Sequence, residues 1–267
     1  MLSPAPWWLA VALAGGIAMA AWRARSLRGD GAWAAVAVGT AALCVQWAWG
    51  VYLIVWFVLA SALSRYGRAQ KAARLARVVE KSDRRDARQV LANGGVFAIC
   101  ALTALATHQR ELFAVAAAGA LAAAGADTWA TEIGTLMGGR PWSLRTRTRV
   151  HIGTSGAVTA AGSIGSLAGA SVLAIVAAST HMIAWTSLFP VLAAGVLGAF
   201  VDTAIGAWLQ ERRWCPSCDQ ETEQHRHICG TQTIPRGGLG RMDNDAVNLL
   251  ATLVGAVGAP ALGAILR

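Results

Sequence analysis

The stretch GADTWATEIG at residues 125–134 carries two carboxylates, Asp127 and Glu132, directly after the apolar run LFAVAAAGALAAA. A carboxylate at the centre of a bilayer costs about 2.5–3.5 kcal/mol even on lenient insertion scales, so acids in such a segment are functional by default. A second acid, Asp202 in GAFVDTAIGAWLQ, repeats the small-x-Asp-Thr pattern of Asp127 and Thr128. Asp243 and Asp245 in GRMDNDAVN open a further apolar segment, and Asn93 in LANGG opens another. Five residues at 100° each place Asp127 and Glu132 about 140° apart on an unbroken helix. One cation therefore does not take both. Asp127 and Asp202 on facing helices are the more economical pair, with Glu132 serving a second ion or an Arg partner. Hard oxygen ligands with room for water and phosphate suit Mg²⁺. The competing structural reading of each acid is an ion pair or a helix cap.

Phosphate recognition is suggested by GTLMGGRPWSLRTRTRVHIGTSGAV. Gly138, Gly139 and Pro141 end the helix. Alternation of Arg145, Arg147 and Arg149 in an extended segment aims three guanidinium groups to one side. The turn Gly153, Thr154, Ser155, Gly156 would open the next span with free backbone N–H groups. No Lys follows these glycines, so the segment is not a Walker A loop. A separate motif, CPSCDQETEQHRHICG, offers Cys215, Cys218, His225, His227 and Cys229 as five candidates for a four-coordinate, structural Zn²⁺. A free or redox-active cysteine pair, or, were the loop outside, a disulfide from Cys215 or Cys218 to Cys229, are the alternatives.

The elements that must position these groups are membrane helices. Of 267 residues, 55% are apolar and only 14% charged, with a mean hydropathy of +0.48, which excludes an ordinary soluble domain. Apolar segments at about 6–22, 31–47, 49–64, 93–107, 112–138, 153–178, 183–209 and 245–266 predict an all-α, polytopic bundle of about eight spans, one integral membrane domain over 1–267. Residues 31–64 read equally as one tilted helix or as two short ones around Gln46. With eight spans, the loops 23–30, 65–92, 139–152 and 210–244 share one side and hold nearly all of the 23 basic residues. Lys and Arg gather in cytoplasmic loops, which predicts an inner-membrane protein with these loops cytoplasmic and both termini outside. The net charge of +9 then flanks spans and needs no nucleic acid. MLSPAPWWLA lacks a basic n-region and reads as a retained anchor. Segment 65–92 reads as a helix along the anionic leaflet or as a solvated topology determinant. Runs such as AAAGALAAAGA and AAGSIGSLAGA allow close helix packing or a lateral groove for a lipid tail.

Taken together, RQVLANGG, ADTWATEIGTLMGG, VHIGTSGAVTAAGSIGSLAGA, VDTAIGAWLQ, the Cys/His loop and GGLGRMDNDAVN resemble the integral membrane family catalogued as domain of unknown function 92, over nearly the whole chain from about residue 23. That family includes phytyl-phosphate kinases. More distantly, the motifs are similar to those of phytol and dolichol kinases, and PRGGLGRMDNDAVN to the signature of CDP-diacylglycerol synthases. The resemblance implies a kinase moving a phosphoryl group from a nucleoside triphosphate, CTP above all, to an isoprenyl monophosphate at the membrane. In that setting Asp127, Asp202, Asp243 and Asp245 are expected as Mg²⁺ ligands. Arg140, Arg145, Arg147 and Arg149 would neutralise triphosphate oxygens, and residues 153–156 would donate N–H groups. Thr128, Glu132, Asn93 and Asn248 would orient the ligands. The acceptor is already ionised at neutral pH and needs no strong base. Fold likeness does not fix a reaction. An ion-coupled transporter or lipid translocator, and a CTP-dependent cytidylyltransferase, are the rival readings.

Overall fold

The computed structural model describes residues 4–75, 84–107 and 109–266. Its helices are α1 (Trp7–Arg23), α2 (Gly29–Val45), α3 (Trp47–Arg65), the short α4 (Arg68–Leu75), α5 (Ala87–Ala106) and α6 (Arg110–Met137), followed by α7 (Ala160–Ser179), α8 (Leu188–Trp208) and α9 (Asn244–Ile265). Two strands, β1 (Trp142–Ser143) and β2 (Ala157–Val158), pair antiparallel between α6 and α7. Three more, β3 (Arg212–Cys215), β4 (Gln220–Thr222) and β5 (Ile234–Gly237), form a sheet in the order β4-β3-β5 between α8 and α9. The expected all-α fold is thus corrected to a helical bundle carrying two small sheets. Short extended connections outside the helices satisfy their backbone groups by pairing with one another.

Among the described residues, six helices (α3, α5, α6, α7, α8 and α9) are long and apolar enough to cross a bilayer. Helices α1 and α2, at 17 residues each, are shorter. Eight apolar helices thus lie at the expected segments, but among the described residues six of them, and not eight, reach spanning length. Residues 31–64 divide in two because Gln46 is fully extended, with φ −173° and ψ 152°. The hairpin closes tightly at Gly50, where a Cβ would stand 2.4 Å from Leu43 Cδ2.

Helix α6 is the axis. Its stretch Ala114–Ala126 is nearly all buried, and α7, α8, α9 and α5 surround it. The approach is close because glycines face it. A Cβ on Gly119 would lie 2.2 Å from Gly255 O of α9, and one on Gly195 of α8 would lie 2.8 Å from Ala122 Cβ. Gly169 of α7 would meet the Trp129 ring at 2.8 Å. Both small-residue runs are therefore helix contacts, held by dispersion between closely placed backbones. Within this core Tyr52 donates its hydroxyl proton to Ala118 O at 3.0 Å.

The expected sixth span starts later than residue 153. Thr159 caps α7 by accepting from Gly162 N at 2.9 Å, while residues upstream are taken by the β1–β2 hairpin. All four basic connections come together on one end of the bundle. Arg28 N donates to Arg85 O (2.9 Å), Arg65 reaches Ala24 O (2.7 Å), Arg88 pairs with Asp243 (2.6 Å) and Arg145 with Glu221 (3.2 Å). The basic segment 65–92 contains α4 at its start, and residues 76–83 lie outside the described ones.

Candidate functional site

Beneath that loop face a polar cavity of about 740 Å³ opens between α3, α5, α6, α7 and α8. Its walls include Asp127, Thr128 and Glu132 of α6, Asp202 of α8, and Asn93 and Asn248 at the loop-side ends of α5 and α9. At 1.5 Å per residue Asp127 lies about 15 Å from the end of α6, whereas Asp202 lies about 9 Å from the end of α8. The two Asp-Thr elements are built alike. Thr128 Oγ1 donates to Ala124 O (2.8 Å) and Thr203 Oγ1 to Ala199 O (3.0 Å), which occupies each proton within its own helix and leaves oxygen lone pairs for a ligand.

Glu132 has a different role. Ser64 Oγ donates to its Oε1 and Lys71 Nζ to its Oε2, each at 2.5 Å. Lys71 is buried and also binds Leu63 O (2.7 Å) and Ser64 O (3.0 Å), the terminal carbonyls of α3. One turn on, Arg74 caps the end of α6 at Thr135 O (2.6 Å) and Leu136 O (2.7 Å). Helix α4 is thereby pinned across the ends of α3 and α6.

Among the described residues, the cations that line the cavity are Arg25, Arg65, Arg68, Lys71 and Arg85, none of them part of a motif singled out above. Arg85 donates to Ser61 Oγ (3.0 Å), and burial lowers its pKa while the charge of Glu132 raises it. These residues come from basic segments whose charge is legible in the sequence but whose inward reach depends on which loops meet. Arg140, Arg145, Arg147 and Arg149 do not line the cavity. Their segment is a hairpin and not one extended run: Val150 N donates to Pro141 O, Arg147 N donates to Ser143 O, and Arg147 adopts φ 53°. Alternation is lost in this tight turn. Arg145 faces Glu221, while Arg149 donates to Arg140 O (2.7 Å) and lies 5.8 Å over the Trp142 ring.

Residues Gly153, Thr154, Ser155 and Gly156 line the cavity, but as a turn before β2 and not as the first turn of a helix. Gly156, at φ 70°, lies so close to α8 that a Cβ would stand 2.2 Å from Ala207 Cα. Ser155 Oγ donates to Glu223 Oε1, and Gln210 Nε2 donates to the same oxygen at 3.0 Å. Glu223, from the Cys/His segment, is a cavity residue that sequence reasoning missed. Asp243 is a helix cap: its Oδ1 accepts from Ala246 N (3.0 Å), and its Oδ2 takes Arg88. Neither Asp243 nor Asp245 lines the cavity, although Asn244 between them does. The first turn of α9 rotates alternate side chains away from each other.

Cys215, Cys218, His227 and Cys229 form a second cluster, with one ligand atom from each lying within 4.8 Å of the others. His225 is not a member. Cys215 Sγ is 3.6 Å from Cys229 Sγ, and His227 Nδ1 is 3.1 Å from Cys229 Sγ. His227 Nε2 is 2.9 Å from the side-chain amide of Gln220, the kind of outer contact that orients a ligating imidazole. The Thr231 hydroxyl first, and then the His227 ring, lower the Cys229 pKa to about 5. Hydrogen bonding to Cys229 raises that of Cys218 to about 11. The set can hold a metal ion.

No solved structure matches this chain. Protein PGR of Arabidopsis thaliana is 26% identical over 92% of both chains. An uncharacterized membrane protein of Methanocaldococcus jannaschii is 27% identical over 78% of this chain and 73% of its own length. Another, from a Synechocystis strain, is 30% identical over 61% of this chain and 65% of its own. Residues 12–256, which include the apolar bundle, the Asp-Thr elements and the Cys/His cluster, match the family described as Integral membrane protein DUF92, and the chain belongs to that family.

Proposed function

We propose that the protein is a Mg²⁺-dependent phosphotransferase that moves a phosphoryl group from a nucleoside triphosphate, CTP by the family resemblance, to an isoprenyl monophosphate. The observation that carries this reading is the composition of one cavity: carboxylates of α6 and α8 on its walls together with Arg25, Arg65 and Arg85. Two carboxylates, with threonine and asparagine oxygens nearby, form a hard-oxygen set suited to Mg²⁺. Asp127 and Asp202 would hold the ion, which supplies charge neutralisation of the phosphates. The arginines neutralise the remaining phosphate charge and fix the acceptor. Asn93, Asn248 and the 153–156 turn bound the space in which donor and acceptor are aligned. Phosphoryl transfer to an ionised acceptor asks for alignment and electrostatics more than for a base. The positive-inside rule puts the cavity mouth in the cytoplasm. The Cys/His cluster, as a Zn²⁺ site, is structural: four protein ligands leave no open position, and the site fixes the segment that carries Glu223.

The test is purified protein in detergent with Mg²⁺, γ-labelled CTP or ATP, and geranylgeranyl or phytyl monophosphate. A labelled prenyl diphosphate is expected, with Asp127→Asn and Asp202→Asn each lowering turnover by about 100-fold or more at unchanged thermal stability. Arg149→Gln, outside the cavity, is expected to stay within about 3-fold of wild type. Absence of diphosphate with both nucleotides would overturn the reading in favour of a carrier, and so would full activity in both Asn variants.

A further inference from the structure

Next to the polar cavity lies a space of opposite chemistry. An apolar groove runs between α1, α2, α3 and α5, walled by residues such as Ile17, Ala35, Val38, Ile54 and Phe57. Its surface is almost wholly carbon, apart from Arg85 and Gln89, and both of these also line the polar cavity. Arg85 stands on the boundary. Its Cζ is 5.4 Å from the ring centroid of Phe57, a groove residue, while its Nη1 donates to Ser61 Oγ, on a cavity residue. A guanidinium in this position is desolvated on one side and presents N–H donors on the other, which is the arrangement that anchors an anionic head at the end of an apolar chain.

We infer that Arg85 and Arg65 hold the phosphate of a single-chain lipid monophosphate whose hydrocarbon tail lies in the groove between α1, α2, α3 and α5. The head is identified by charge complementarity with the arginine side of the cavity. The tail is identified by the groove sharing Arg85 and Gln89 with that cavity as wall residues, and one groove at the arginine suits one chain per head. The acceptor then reaches the cavity past α1, α2, α3 and α5, and not through the small-residue faces of α6 and α7, which are closed by packing. The inference rests on the phosphotransferase reading for the nature of the head, and locates where that substrate lies.

It is tested by binding, apart from turnover. Wild-type protein in nanodiscs is photolabelled with a monophosphate bearing a diazirine near the end of a sixteen-carbon chain, and the labelled peptides are mapped. Labelling is expected in α2 and α3 around Ala35 and Ile54, competed by geranylgeranyl monophosphate and not by geranylgeraniol or by diacyl phosphatidic acid. Arg85→Gln is expected to weaken competition by the monophosphate about 10-fold or more, with Arg85→Lys restoring part of it. Ala35→Phe, which fills the groove without touching the head site, is expected to shift the preference toward shorter chains and provides a readout should Arg85→Gln fail to fold. Label spread over the lipid-facing sides of α7 and α8 would overturn the inference, as would equal competition by alcohol and phosphate. Groove labelling without phosphoryl transfer would keep the binding site and remove the kinase; transfer with label elsewhere would do the reverse.

Discussion

The Lys71–Glu132 pair offers a quantitative test of how α4 is held. Only 6% of the Lys71 side chain and 21% of the Glu132 side chain are exposed, and Lys71 Nζ serves three acceptors at 2.5–3.0 Å. Removing one partner of a buried pair strands the other charge, at a cost of about 3–5 kcal/mol, whereas replacing both is nearly neutral. Lys71→Met leaves Glu132 with the Ser64 hydroxyl, and also frees the α3 carbonyls. It is expected to lose about 3 kcal/mol. Adding Glu132→Gln removes the stranded charge, so the double variant should be more stable than Lys71→Met alone by about 1–2 kcal/mol. Reversible unfolding in mixed micelles, followed by tryptophan fluorescence, measures both. Tryptic cleavage near Arg68 and Arg74 should rise in parallel as α4 detaches. Additive losses, within about 0.5 kcal/mol, would refute the pairing, and so would a Lys71→Met cost below about 1 kcal/mol.

Two further outcomes follow from the loops. Metal analysis of purified protein should find one zinc per chain, lost in Cys215→Ser and Cys229→Ser but retained in His225→Ala; retention in the cysteine variants, or loss with His225→Ala, would contradict the four-residue set. Gly156→Ala combines a left-handed backbone with a Cβ 2.2 Å from Ala207 Cα, whereas Gly230→Ala, at φ 87°, meets nothing within 4 Å. The second should cost about 1 kcal/mol and the first several times as much, and equal shifts in thermal unfolding would show that the turn does not pack on α8 as described.

The apolar segments were readable because a bilayer demands length and composition, and both are local properties. The break at Gln46 was undecided for the same reason: nothing local distinguishes a tilted helix from a hairpin whose closure depends on Gly50 meeting Leu43. At residues 153–159 a glycine-bounded turn before an apolar run looked like a helix start. The competing use of Ala157 and Val158 as partners of Ser143 and Trp142 is a long-range fact. Arginine alternation failed likewise, since its inference required a strand and Arg147 sits in a turn.

Acids and bases differ in how far a sequence can place them. A carboxylate inside an apolar helix is fixed in depth by its residue number and in direction by the helical period, so Asp127 and Glu132 could be assigned to different faces before any packing was known. The structure gives Glu132 to Lys71 and Ser64, while Asp127 lines the same cavity as Asp202 of α8. An Arg or Lys in a loop has neither constraint, and its long side chain reaches whichever neighbour the loops bring near. That is why the arginine-rich motif beside the site takes Glu221 and Trp142 as partners. The cations lining the cavity come instead from the turn after α1, the end of α3, α4 and the approach to α5.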